Sequence, residues 1–170
     1  MVFSSYKKWI NEKFIEDSDP IHDMGIGIKA NVEKWLKRYN KYISRPTINS
    51  DCTIDAYDVH LTNINLIKLP DYIQFRKISM DFFIYNCGLI TLKGCPEIVG
   101  NNFSCSSNNL KSLEYGPKKV EKFYYCYSNL LTNLNGLPKK IVKLSCSGNS
   151  KEFSKKYIRS ICNVKIIVNI

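Results

Sequence analysis

From about residue 56 to residue 150, apolar positions return at a fixed interval. Leu92, Leu113 and Leu134 stand 21 residues apart, and so do Pro96, Pro117 and Pro138, and Val99, Val120 and Ile141. Between these markers runs the unit Phe-x-Cys-x-x-Asn-x-Leu-x-x-Leu, followed by glycine and proline. It is clearest at Phe103, Cys105, Asn108, Leu110 and Leu113, and it repeats at Tyr124, Cys126, Asn129, Leu131 and Leu134. A last copy, one residue shorter, keeps Leu144, Cys146 and Asn149. Looser copies come earlier, at Phe82, Ile84, Cys87, Leu89 and Leu92, and at Val59, Leu61, Ile64, Leu66 and Leu69. Recurrence in register predicts stacked copies of one small unit, none of which can bury its apolar face alone. Alternation along each strand sends Phe103 and Cys105 inward and Ser104 and Ser106 outward. The recurring asparagine is placed to hydrogen-bond backbone groups where the chain leaves the strand. Cys87 and Ile64 interrupt that column, which predicts less regular early turns.

Helical spacing replaces this period at the N-terminus. Phe3, Tyr6, Ile10 and Phe14 predict an amphipathic first helix. Asp19 as N-cap and Pro20 at the first helical position predict a short turn, which Gly25 and Gly27 are expected to end. A second helix is expected from about Ile28 to Ile43, with Val32, Leu36 and Tyr39 on its apolar face and Trp35 widening it, closed at Arg45-Pro46. Residues 47–57 are expected to add a strand or hairpin. Lys151 to Cys162 predicts a short helix carrying Phe153, Tyr157, Ile158 and Ile161, and Asn163 to Ile170 a final strand.

The repeat resembles the leucine-rich-repeat pattern L-x-x-L-x-L-x-x-N-x-L. The expected fold is therefore an α+β solenoid: a leucine-rich-repeat array of about five parallel strands over residues 47–150. A helical cap or docking segment would precede it at residues 1–46, and a helix–strand cap would follow at residues 151–170.

Composition narrows the function. Hydrophobic residues make up 44% of the 170-residue chain and charged residues 24%, the balance of a folded domain. No apolar run approaches the ~20 residues of a membrane span, and the polar start does not read as a signal peptide. Seven cysteines without a CxxC pair point to free thiols in a cytoplasmic setting. Cys105, Cys126 and Cys146 share one inward position, which favours packing over metal or redox chemistry. No Ser–His–Asp, HExxH, P-loop or paired-carboxylate arrangement is present, so the expectation is a non-enzymatic protein with no cofactor, no metal and no catalytic residue.

Charge and strand alternation select two surfaces. Outward strand positions hold His60 and Thr62, Phe83 and Tyr85, Ser104 and Ser106, Tyr125 and Tyr127, then Ser145 and Ser147. The aromatic members Phe83, Tyr85, Tyr125 and Tyr127, with His60, are the candidate protein-binding residues, because such rings bury large area with few rotors. The net charge of +10 is concentrated late: residues 101–170 hold twelve Lys/Arg against three Asp/Glu. Within that part, Lys118, Lys119 and Lys122 recur as Lys139, Lys140 and Lys143, an expected basic stripe suited to an acidic protein or a nucleic acid.

The segments FSCSSNNLKSLEYGP and YYCYSNLLTNLNGLP, together with the leader NEKFIEDSDPIHDMGIGI, resemble leucine-rich-repeat proteins of large tailed bacteriophages. That resemblance implies a phage accessory protein in the host cytoplasm that binds, and inhibits or sequesters, a host protein, including a defence protein. The alternative is a nucleic-acid binder using the basic C-terminal face.

Overall fold

The computed structural model describes residues 21–168 and 170. The expected first helix (Phe3, Tyr6, Ile10, Phe14) and the Asp19–Pro20 cap lie outside the described residues. Helix α1 spans Ile21–Arg38 and a single 3-10 turn follows at Asn40–Tyr42. Among the described residues, twelve strands and a second helix come after it: β1 (Ile43–Ser44), β2 (Thr47–Ile48), β3 (Ile54–Ala56), β4 (Asp58–His60), β5 (Phe75–Ile78), β6 (Phe82–Phe83), β7 (Ile98–Val99), β8 (Phe103–Ser104), β9 (Lys119–Val120), β10 (Phe123–Tyr125), β11 (Lys140–Ser145), α2 (Lys155–Ile161) and β12 (Asn163–Val168).

These elements wind into a β-solenoid of about five turns with two sheets. The larger sheet has the order β1-β4-β6-β8-β10-β11-β12 and the smaller β2-β3-β5-β7-β9. Pairing is parallel throughout except at the first strand of each sheet. Each turn thus supplies a short strand after its proline, a corner, a second strand, and a third side of loop that carries two leucines. The five strands expected from the repeat are β4, β6, β8, β10 and the end of β11. The smaller sheet was not expected. Its signal was the branched residue three positions after each proline: Val99 and Val120 are buried on β7 and β9. The strand or hairpin expected at 47–57 takes the form of a hairpin, β2–β3, with Thr47 opposite Asp55 and Ile48 opposite Ile54.

The inward column is close-packed. Phe75, Phe82, Phe103 and Tyr124 are fully buried, with ring centroids 5.3, 6.0 and 4.8 Å apart in succession. Leu89 and Leu92, Leu110 and Leu113, and Leu131 and Leu134 close the loop side. At the first-turn end, Trp35 of α1 meets Phe75 edge-on at 6.2 Å, and Val32, Trp35 and Leu36 are buried in the same core.

Two features of the N-terminal segment differ from expectation. Gly25 and Gly27 do not end a turn; α1 runs through both. Interior glycines cost about 1 kcal/mol each relative to alanine, and burial of Val32, Trp35 and Leu36 downstream supplies more than that. The helix also stops at Arg38, and Ile43 is the first strand residue, buried opposite Val59.

The turn out of each strand of the larger sheet repeats one geometry. Asn63, Asn86, Ser107, Ser128 and Gly148 all have positive φ, between 53° and 63°. The next residue in the three later turns is the recurring asparagine. Asn129 Nδ2 donates to the carbonyls of Cys126 (3.3 Å) and Tyr127 (3.3 Å) in its own turn and of Cys105 (3.0 Å) in the turn before, while its Oδ1 accepts from Leu110 N–H at 3.1 Å. Asn108 and Asn149 make the corresponding bonds. Cys87 stands in that column and takes over one part of the role: its thiol donates to the Leu61 carbonyl at 2.9 Å.

Candidate functional site

The outward face of the larger sheet collects the residues singled out by alternation. Register places His60, Phe83, Ser104, Tyr125 and Ser145 side by side on successive strands. Two residues further along each strand stand Thr62, Tyr85, Ser106, Tyr127 and Ser147. Side chains two apart on a strand share a face, and neighbouring strands lie about 4.8 Å apart. Ring-bearing turns are separated by a serine-bearing one, so Tyr85 and Tyr127 recur at about 9.6 Å along the stack.

The serines differ from a simple outward reading. Ser104 is 6% exposed, Ser106 0% and Ser145 2%, although alternation sends them outward. The cause is steric: each small side chain lies between larger neighbours on adjacent strands, with Phe83 and Tyr125 flanking Ser104. Ser104 Oγ donates to Ser106 Oγ at 3.5 Å on the same face. The rings themselves stay open to solvent. Tyr85 is 36% and Tyr127 37% exposed, while Phe83 and Tyr125 are half-buried. His60 is exposed, meets Phe83 edge-on at 5.0 Å and lies 3.5 Å from the Asp58 carboxylate. Burial, Tyr127 and Asp81 together push the Tyr125 hydroxyl above its ordinary pKa.

The lysines occupy different ground. Lys119 lies on β9 opposite Ile98, on the smaller sheet, with Lys118 beside it. Lys118, Lys119, Lys122, Lys139 and Lys140 are exposed. Lys118 is paired with Glu97 at 2.9 Å and Lys119 with Glu121. Lys143 leaves the expected column: the last turn is one residue shorter at the corner, so Lys143 faces Phe123, not Lys122. Its ammonium stands 5.3 Å from the centre of that ring, within cation–π range.

The buried thiols are built for packing. Cys95, Cys105 and Cys126 surround the Tyr124 hydroxyl, and burial raises the pKa of all four groups. The Cys146 and Cys162 thiols are pushed up to about 11 by the same desolvation. A thiol held neutral in this way is a poor nucleophile and a poor metal ligand. Among the described residues, no group of three or more His, Cys, Asp or Glu is arranged to hold a metal ion, and no helix is long and apolar enough to cross a membrane.

The chain matches no protein-family model, no curated protein and no solved structure.

Proposed function

We propose that this chain is a non-enzymatic binding module that recognises a protein partner through the outward face of the larger sheet. The observation that carries the reading is the set of rings at Phe83, Tyr85, Tyr125 and Tyr127. They stand in two rows on the larger sheet, with the gaps between them already filled by buried serines. The core is complete without them, and Tyr85 and Tyr127 in particular leave more than a third of their surface in water. Rigid aromatic groups of this kind are the usual anchors of protein interfaces. His60 extends the row at the first turn.

We further read the turns as leucine-rich-repeat-type units, with α1 closing one end of the stack and α2 with β12 the other. The resemblance to repeat proteins of large tailed bacteriophages supports an accessory role in the host cytoplasm, in which the chain binds and inhibits or sequesters a host protein, including a defence protein. A second reading, nucleic-acid binding through Lys122, Lys139 and Lys140, draws on their exposure. The pairing of Lys118 and Lys119 with carboxylates weighs against it, as does the position of those lysines on the smaller sheet, away from the rings.

Affinity capture from bacterial lysate tests the first reading. The wild-type chain should retain one host protein at near-stoichiometric yield. The Tyr85→Ala/Tyr125→Ala variant should lose it while keeping its melting temperature, as about 2 kcal/mol or more per anchor predicts. Retention of that protein by a folded variant would contradict the reading. Salt-sensitive binding of single-stranded or duplex DNA, undiminished in the same variant, would favour the second.

A further inference from the structure

We propose that the open edge of β12 is a docking site for an extended acidic polypeptide segment, which joins the larger sheet as an additional strand. This surface is separate from the aromatic face, and the two can fail independently.

β12 is the last strand of its sheet and pairs only with β11 among the described residues. It is also unusually long for this fold. Turns earlier in the stack break at a corner between a strand of the smaller sheet and one of the larger. In the last turn that corner is one residue shorter, so β11 runs unbroken over six residues, and β12 follows it from Lys140–Asn163 to Ser145–Val168. The opposite end of the same sheet is finished by β1, an antiparallel strand of two residues. Short strands, prolines and bulges are how proteins blunt an edge. β12 (NVKIIV) is neither short nor interrupted by proline.

The hydrogen-bond directions identify which backbone groups are offered. Asn163 N–H donates to the Lys139 carbonyl at 2.8 Å, so the groups of Val164, next along, turn toward the open side. Lys143 N–H is used by the Lys122 carbonyl at 3.2 Å, on the side of β10. In the Lys143–Ile166 pair it is therefore Ile166 that bonds to β11, and the amide and carbonyl of Ile167 face outward; Val164 and Ile167, three apart, share a side because the ladder is irregular between them, where Val142 and Lys165 form no pair and Val142 N–H also turns to the Lys122 carbonyl. Ile166 itself is 50% exposed and Ile170, beyond the strand, 39%, so apolar side chains at this end of the sheet stand in water.

Charge selects the occupant. The segment that forms this margin, residues 151–165, carries Lys151, Lys155, Lys156, Arg159 and Lys165 against one acid, Glu152. A second copy docking edge to edge would set these like charges against one another. A nucleic acid would satisfy the charge but has no strand-like row of donors and acceptors to meet Val164 and Ile167. An extended segment that alternates apolar and acidic residues satisfies both, in the β-augmentation mode.

The test uses the full chain, isotopically labelled, and a synthetic peptide of about ten residues alternating valine and glutamate, long enough to span the strand. Amide exchange is read by NMR. The expected result is binding that weakens with salt and slows exchange at Val164 and Ile167 about tenfold or more. The valine–lysine peptide should leave both amides unchanged. Lys165 is exposed, so the Lys165→Glu variant is expected to fold, and it should bind the acidic peptide about threefold more weakly. The proposal is overturned if the acidic peptide does not bind, if it binds no better than the basic one, or if protection maps to the aromatic face. Equal protection by single-stranded DNA, or by raising the concentration of the chain alone, overturns it as well.

Discussion

Asn108, Asn129 and Asn149 each tie one turn of the solenoid to the turn before it with the same set of bonds. The side chain donates to two carbonyls of its own turn and one of the preceding turn, and accepts from an N–H on the preceding turn. An isolated turn has no such partner, so the asparagine stabilises only the stack. Asn129 is 4% exposed, and its replacement by alanine leaves the Cys105 and Cys126 carbonyls and the Leu110 N–H buried without this partner, while the Tyr127 carbonyl keeps its bond from Ser107 N–H. Asn129→Ala should therefore cost about 3 kcal/mol, read as a lower denaturation midpoint at unchanged slope. This column was legible in the sequence because a polar side chain that recurs at a buried phase must find hydrogen-bond partners there, and the backbone of the turn supplies them. The compensation at Cys87 was not legible, since a thiol donating to the Leu61 carbonyl looks in sequence like a lost asparagine. Nor was the burial of Ser104, Ser106 and Ser145. Alternation gives the direction in which a side chain points, whereas exposure depends on how large its neighbours on adjacent strands are.

At the scale of elements, two physical facts account for what the repeat did not reveal. A strand of two residues, such as β7 or β9, contributes one inward side chain, and a single branched residue after a proline carries no visible alternation. The smaller sheet is therefore evident only when Val99, Val120 and Ile141 are read as a column. The second fact is that one missing residue changes an element. The shorter corner in the last turn joins two short strands into β11, moves Lys143 beside Phe123 and lengthens the strand that β12 can join. Helix α1 shows the opposite case, in which local signals were overridden. Gly27 lies inside it, and a Cβ added there meets nothing within 4 Å. Gly27→Ala should stabilise the chain by about 0.5–1 kcal/mol, measured as a raised thermal midpoint. A helix that really ended at Gly27 would be destabilised by the same change.

The whole molecule separates its surfaces by element. Rings lie on the larger sheet, Lys118 and Lys119 at the smaller one, and a basic open edge at the last strand, while Lys143 stands beside Phe123 on the larger sheet. That separation follows from the winding itself: a residue keeps its side of the solenoid in every turn, so a repeating residue type becomes a stripe. Aromatic residues at two alternate turns therefore give a surface, not scattered contacts. Tyrosine iodination of the chain with and without the captured protein tests whether this surface holds the partner. Tyr115, 68% exposed and located on a loop outside the ring rows, serves as the internal control. Tyr85 and Tyr127 should be labelled in the free chain and protected in the complex, while Tyr115 is labelled in both. Protection of Tyr115 with continued labelling of Tyr85 and Tyr127 would contradict it.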